Sequence, residues 1–186
     1  VLFWDCNFID HGLSLKWVMN MRKRITMLIS ALICISLPLT GCAKTYGSPE
    51  DLIEQVREES SAAETMDIQY AGMCGAEDTA LIWYVSGNPS QGYTYIPVEC
   101  EVVGEAEYRY VQLFPPIEGE NDIAVLQWKN GCAFCIHNQN CKTIRIMDHS
   151  GTHDEVIGKD AYPYVFYHES WPCEYLFLDW EGNLIS

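Results

Sequence analysis

Two apolar runs separated by Asn130-Gly131 constrain the fold of this 186-residue chain more than any other stretch. The first run covers 123–129 and the second covers 132–137. An Asn-Gly pair between two short apolar runs favours a type I′ turn, because both central residues of that turn need a positive φ. The pattern therefore predicts a β-hairpin that turns at Asn130-Gly131.

Further runs with the character of short β-strands lie on both sides of this hairpin. Thr79–Val85 is an unbroken apolar run typical of a central strand. Pro97 falls within the next strand and predicts an edge position for it, because proline donates no backbone hydrogen bond. Other strand-like runs are 108–114, 142–147, 153–157, 162–167 and 175–180. Turns at intervals of about 8 to 12 residues predict a mainly β fold, a single β-sandwich-like antiparallel domain.

One helix is expected at the N-terminal end of this domain. Ser48 is a favourable N-cap, Pro49 suits the first helical position, and Asp51 stands at the capping-box position. Leu52 and Val56 fall on one side of such a helix. The pattern predicts a helix that packs this side on the strands that follow.

The stretch Met19–Cys42 has a different pattern. Arg22, Lys23 and Arg24 form a positive cluster, and fifteen residues without a charge follow, from 25 to 39. A basic segment, a short apolar segment and small residues at a cleavage site are typical of a secretory signal peptide. The apolar segment is shorter than the about 20 residues that a membrane-spanning helix needs. The sequence therefore predicts export through an apolar signal helix.

The stretch closes with Leu39-Thr40-Gly41-Cys42, which resembles the lipobox of bacterial lipoproteins. The resemblance implies transfer of a diacylglyceryl group with palmitate-type chains to the Cys42 sulfur, and cleavage between Gly41 and Cys42. It further implies a lipid anchor in the membrane, lipoprotein processing enzymes as partners, and a location on the outer face of the bacterial cytoplasmic membrane. An uncleaved signal anchor is the alternative. The rest of the chain resembles exported β-rich lipoproteins for which no activity is implied.

These signals divide the chain into four parts. Residues 1–18 fit no signal and are interpreted as an over-extended N-terminus, because a signal peptide should begin close to its basic cluster. Residues 19–41 form the lipoprotein signal peptide, and 42–47 form the lipidated end with a short tether. Residues 48–186 form the β-rich domain.

The part of the chain from Cys42 onward is strongly acidic. The full sequence has 11 basic and 26 acidic residues, and four basic and two acidic residues precede Cys42. The remaining 7 basic and 24 acidic residues give a net charge of −17. Such a surface repels phosphate groups, which excludes nucleic acids as partners.

The cysteines leave several arrangements open. Six follow Cys42, and they are Cys74, Cys100, Cys132, Cys135, Cys141 and Cys173. An even count in an exported domain is compatible with buried thiols, with disulfides, or with a compressed zinc site that adds His137. Cys132 and Cys135 have the spacing of a CxxC redox pair, but residues three apart on a strand point to opposite faces. We therefore expect that these two thiols do not form a mutual redox pair.

A turn between two strand-like runs carries the candidates for a metal site. Asp148, His149, His153 and Asp154 lie on this turn, and side chains of these types can hold a divalent cation. The same stretch also has ordinary turn-forming residues, which account for the aspartates without a metal. We expect weak metal binding or none there, and no cofactor.

Other residues that could carry chemistry give no clear pattern. No motif of a serine hydrolase, zinc protease or nucleotide-binding enzyme occurs in the chain. His137 and His168 lie in strand-like runs and are expected to be structural. The aromatic residues either fill the core or present a surface for sugar rings. The tryptophans concerned are Trp83, Trp128, Trp171 and Trp180.

Two classes of function therefore stay open. The first is a non-catalytic binding or interaction module for an extracytoplasmic ligand or protein, with a glycan as one such ligand. The second is a metal-dependent or thiol-dependent enzyme that uses the turn from Asp148 to Asp154 or the cysteines. Grouping of these side chains in a cleft would favour the enzyme, whereas scattered positions would favour the module.

Overall fold

The computed structural model describes residues 44–60, 67–171 and 174–185. The signal stretch with Gly41 and Cys42 lies outside the described residues, as does Cys173. The described residues belong to one compact unit, Lys44–Ser186. No helix in this part of the chain is long and apolar enough to cross a membrane.

The expected helix is present at the start of the unit. A 3-10 turn at Glu50–Leu52 leads into helix α1, Ile53–Glu59. The Ser48 hydroxyl oxygen accepts a hydrogen bond from the Asp51 backbone N–H at 3.3 Å, as an N-cap does. Val56 is fully buried, which confirms the apolar side of the helix.

The first sheet contains the longest strands of the described residues. Their bounds are β1 Thr45–Tyr46, β2 Ile68–Ala76, β3 Thr79–Asn88, β4 Gly92–Gly104, β5 Glu107–Leu113 and β6 Ile117–Glu118. The order is β1-β5-β4-β3-β2, with β6 beside β4, and the pairs are antiparallel. Strand β3 lies inside the sheet, as its unbroken apolar run predicts.

The prediction that the strand with Pro97 lies at an edge is wrong. Strand β4 pairs with β3 on one side and with β5 and β6 on the other. The Pro97 carbonyl accepts a hydrogen bond from the Phe114 N–H at 3.0 Å, so the proline nitrogen faces the same second side. Pro115-Pro116, directly after Phe114, separates the end of β5 from the start of β6. The proline is tolerated because no neighbouring strand requires a donor from residue 97.

Two three-stranded antiparallel sheets follow in the described part of the chain. Their strands are β7 Ile123–Trp128, β8 Gly131–Ile136, β9 Thr143–Asp148, β10 Gly151–Val156, β11 Tyr164–His168 and β12 Glu174–Leu178. The second sheet has the order β11-β8-β7, and the third has the order β10-β9-β12. The predicted fold class, mainly β and antiparallel with one short helix, is confirmed for these residues.

The hairpin between β7 and β8 is confirmed, but its turn lies one residue earlier than predicted. Trp128 pairs with Gly131, so the two loop residues are Lys129, with φ of +52°, and Asn130. Gly131 belongs to β8, where a Cβ atom would lie 1.9 Å from the His168 backbone oxygen. The glycine is therefore required for the close approach of β11 and not for the turn.

Three apolar clusters connect the helix and the three sheets. The first joins α1 to one side of the first sheet, the second joins the opposite side to the second sheet, and the third joins the second and third sheets. Tyr84 on β3 lies in the first cluster and its neighbour Trp83 in the second. Phe134 on β8 lies in the third cluster and its neighbour Ala133 in the second. Both strands are apolar without alternation because both of their faces are covered.

Candidate functional site

A cleft of about 360 Å³ lies beside the third apolar cluster, lined by residues of β6, β7 and β12. Ile123 and Val125 line it from β7, and Tyr175 and Phe177 line it from β12. Residues two apart on a strand share a face, so each strand places two apolar side chains along the cleft. The volume is within the range of small-molecule sites.

The cleft has an acidic rim that comes from the end of β6 and the turn that follows it. Glu118 and Glu120 both line the cleft and are both exposed. Neither side chain forms a hydrogen bond or ion pair with another residue in the described part of the chain. The rim therefore presents two carboxylates that the surrounding fold does not neutralise.

The turn that carries Glu120 is closely packed on the first sheet. A Cβ atom at Gly119 would lie 2.3 Å from a ring carbon of Tyr95, so only glycine fits there. Asn121 and Asp122 have φ of +52° and +58°, a left-handed conformation that Asn and Asp adopt more readily than most residues. The Glu120 carbonyl accepts a hydrogen bond across this turn at 3.0 Å. These contacts hold the acidic rim in place.

Aromatic rings form another wall of the cleft. The Tyr175 ring packs edge-on against Phe134, with 5.3 Å between ring centroids, and lies 5.5 Å from Phe177. Phe134 is fully buried, whereas Tyr175 is 36 % exposed. The wall is thus anchored in the core on one side and accessible on the other.

The basic side chains of the described residues are engaged elsewhere. Four of them pair with carboxylates outside the cleft: Arg57, Arg109, Lys129 and Arg145. The others lie over aromatic rings away from the cleft: Lys44, Lys142 and Lys159. No described residue therefore supplies positive charge to the cleft.

Asp148 is the centre of a polar cluster at the turn between β9 and β10. Its side chain is 3 % exposed, and Oδ1 accepts hydrogen bonds from the Ser150 backbone N–H at 2.8 Å and the Ser150 hydroxyl at 2.7 Å. Its Oδ2 lies 3.0 Å from Nε2 of His168 on β11. These hydrogen bonds, with that of the Ser150 hydroxyl the strongest influence, hold the pKa of Asp148 well below its usual range. The ionised carboxylate therefore ties the turn to the second sheet.

The four side chains proposed for a metal site do not converge. His153 Nε2 lies 3.5 Å from Asp148 Oδ1. Asp154, however, accepts two 2.8 Å hydrogen bonds from Arg145, and His149 contacts a serine hydroxyl at 3.3 Å. Among the residues that the structure describes, no group of three or more His, Cys, Asp or Glu side chains could hold a metal ion.

Ser150 and His153 lack the arrangement of a nucleophile and its base. Ser150 Oγ lies 2.8 Å from His153 Nε2, but the serine hydroxyl donates its proton to Asp148. The imidazole nitrogen then donates to the serine oxygen and cannot accept its proton. Asp148 also approaches Nε2, the nitrogen that faces the serine, and not the opposite ring nitrogen that an orienting carboxylate binds. The contacts stabilise the turn.

The cysteines of the described residues are buried or half-buried in the core. Cys132 lies in the third apolar cluster and Cys135 in the second, which confirms that they point to opposite faces of β8. Cys74, Cys100, Cys135 and Cys141 are free thiols. Burial raises the pKa of Cys74 and Cys100 to about 12 and that of Cys141 to about 11. These three thiols are therefore protonated at neutral pH and poor nucleophiles.

The aromatic residues outside the cleft mostly fill the core. Trp83 and Trp128 are buried, whereas Trp171 is 44 % exposed. Trp180 lies beneath two lysine side chains. His137 packs against a tyrosine ring at 4.8 Å between centroids, and burial lowers its pKa, so the ring is neutral at physiological pH.

Comparison with known proteins provides no relative, because no family model, curated protein or solved structure matches the chain. The cleft is therefore interpreted from its own residues. Sequence patterns did not single out Glu118, Glu120, Tyr175 or Phe177, because the two glutamates and the two aromatic residues come from distant parts of the chain. No local signal marks them as neighbours.

Proposed function

We propose that this chain is an exported bacterial lipoprotein, and that its sandwich-like β domain is a non-catalytic binding module. In this proposal a lipid on Cys42 holds the module at the outer face of the cytoplasmic membrane. The lipobox-like end at Gly41-Cys42 supports the anchor. The compact unit begins at Lys44 and its first strand at Thr45, so cleavage before Cys42 would leave the unit whole.

Mass spectrometry of the protein from bacterial membranes tests the anchor. We expect an N-terminus at Cys42 with the mass of a diacylglyceryl group, because two acyl chains hold a protein stably in a bilayer. Cys42→Ala should accumulate as the uncleaved precursor without lipid, whereas Cys34→Ala, within the apolar segment, should be processed normally. A wild-type N-terminus at Met19 or Met21 without lipid would show a signal-anchored protein instead.

The cleft is the observation that supports the binding role. It combines an apolar lining with two accessible carboxylates, Glu118 and Glu120, and this combination is common to small-molecule sites. The Asp148 cluster, by contrast, forms its hydrogen bonds within the turn and with β11. The thiols with strongly raised pKa values favour a structural role for those cysteines.

A nuclear magnetic resonance titration tests the binding role. The full-length chain in detergent micelles is titrated with a small library of amines, carboxylic acids and monosaccharides. We expect shift changes concentrated at the cleft residues of β7 and β12. Val125→Trp should fill the cleft and abolish them, whereas Val156→Trp, at a 61 % exposed position, should not. Binding of monosaccharides alone would favour a glycan-binding module, and shifts confined to other regions would exclude the cleft.

A further inference from the structure

We infer that the cleft recognises an organic cation, a ligand that joins an ammonium or guanidinium group to an apolar body. The inference rests on the binding role proposed above and adds the chemical class of the ligand. Apart from Asn121, the lining combines an apolar part, which includes Ile123, Val125 and Phe177, with an acidic part, Glu118 and Glu120. A ligand that satisfies both parts must be apolar at one end and cationic at the other.

The charge of the cleft is the first argument. Its lining contains two carboxylates and no basic side chain, and the basic side chains of the described residues already have partners elsewhere. An exposed ion pair changes a binding constant by a factor of about 1.5 to 5. Glu118 and Glu120 together should therefore favour a cation over a neutral analogue by roughly 2- to 25-fold.

The aromatic wall is the second argument. The exposed side of Tyr175 lies on the cleft, and a cation within about 6 Å of a ring centroid is attracted to the face of the ring. The adjacent Phe177 and Val125 offer apolar surface but no hydrogen-bond donor or acceptor. The carboxylates of the rim repel an anionic head group, and an uncharged head group gains no ion pair with them.

A second concavity provides a matched comparison. It has a volume of about 390 Å³, carries Glu77 and Asp78, and has Met73 and Val102 among its apolar residues. It lies at the hairpin between β2 and β3, on other strands than the cleft. Removal of its two carboxylates changes the net charge of the protein by the same amount as removal of Glu118 and Glu120. The pair of variants therefore separates local recognition from general electrostatic attraction.

The test uses three probes with the same ring and different charge: 2-phenylethylammonium, 2-phenylethanol and phenylacetate. Each is titrated into the full-length chain in nonionic detergent, and shifts of the cleft amides give the dissociation constants. We expect the ammonium to bind about 2- to 25-fold more tightly than the alcohol, and phenylacetate to bind most weakly. The preference for the ammonium should shrink as sodium chloride rises from about 50 to 500 mM, because salt screens exposed charges.

Two double variants decide whether the cleft is responsible. Glu118→Gln with Glu120→Gln should bring the ammonium and the alcohol to nearly equal affinity, and Glu77→Gln with Asp78→Asn should leave the preference intact. Equal binding of the two probes to the wild type would overturn the cation inference and leave the binding role standing. Loss of preference only in the second variant would also overturn it. If no probe shifts the cleft amides, the proposed binding role of the cleft falls as well.

Discussion

Gly131→Ala should destabilise the protein, because the added methyl group has no room. Its Cβ would lie 1.9 Å from the His168 backbone oxygen, against about 3.4 Å for an ordinary contact, so the two strands must separate by about 1.5 Å. That shift disrupts the pairing of His168 with Cys132. Each backbone hydrogen bond lost lowers the free energy of unfolding by about 1 kcal/mol. Repacking of the core adds about 1 to 3 kcal/mol. We expect the free energy of unfolding to fall by about 2 to 4 kcal/mol.

Urea unfolding followed by tryptophan fluorescence measures this loss, since Trp83 and Trp128 are buried. Gly75→Ala is the matched control, because Gly75 also lies in a strand and its nearest neighbour would be 3.7 Å from the new Cβ. The control should keep its stability or gain up to about 1 kcal/mol, since alanine has fewer unfolded conformations than glycine. A Gly131→Ala variant within about 0.5 kcal/mol of the wild type would refute the close approach of β11 to β8.

Three further results are expected. Asp148 has a lowered pKa, so the stability that its carboxylate contributes is present above the usual carboxyl value of 3.8 and is lost as pH falls through the lowered pKa. In acid unfolding experiments the stability gap between the wild type and Asp148→Asn should therefore narrow below about pH 4. Asp160→Asn, at an exposed turn, should change the unfolding free energy at neutral pH by less than about 0.5 kcal/mol. Phe134→Ala should lower the unfolding free energy by about 3 to 5 kcal/mol because the ring is fully buried, whereas Leu176→Ala, at a 37 % exposed position, should cost less than about 1 kcal/mol. Iodoacetamide should modify Cys100 in urea but not in the folded protein; labelling at equal rates would contradict its burial.

Local sequence patterns predict the features that depend on residues close together in the chain. The cap at Ser48, the internal strand Thr79–Val85 and the opposite orientation of Cys132 and Cys135 all appear as the local patterns predict. Each follows from backbone geometry or from side-chain periodicity over a few residues, which distant contacts alter little. The mainly β fold class follows from the same short-range signals.

Which strands pair and which side chains become neighbours depends on contacts between distant parts of the chain. Pro97 predicts an edge strand, but β4 lies inside the sheet. The proline is accommodated there because its nitrogen, which has no N–H to donate, faces the gap between β5 and β6. Gly131 is predicted as a turn residue, but it is needed instead because the backbone of His168 on β11 passes close to it. The same strand also places the His168 side chain next to Asp148. The cleft depends in the same way on residues of β6, β7 and β12 meeting at one place. Period-two patterns specify which face of a strand is buried, but they do not specify the strand that covers it.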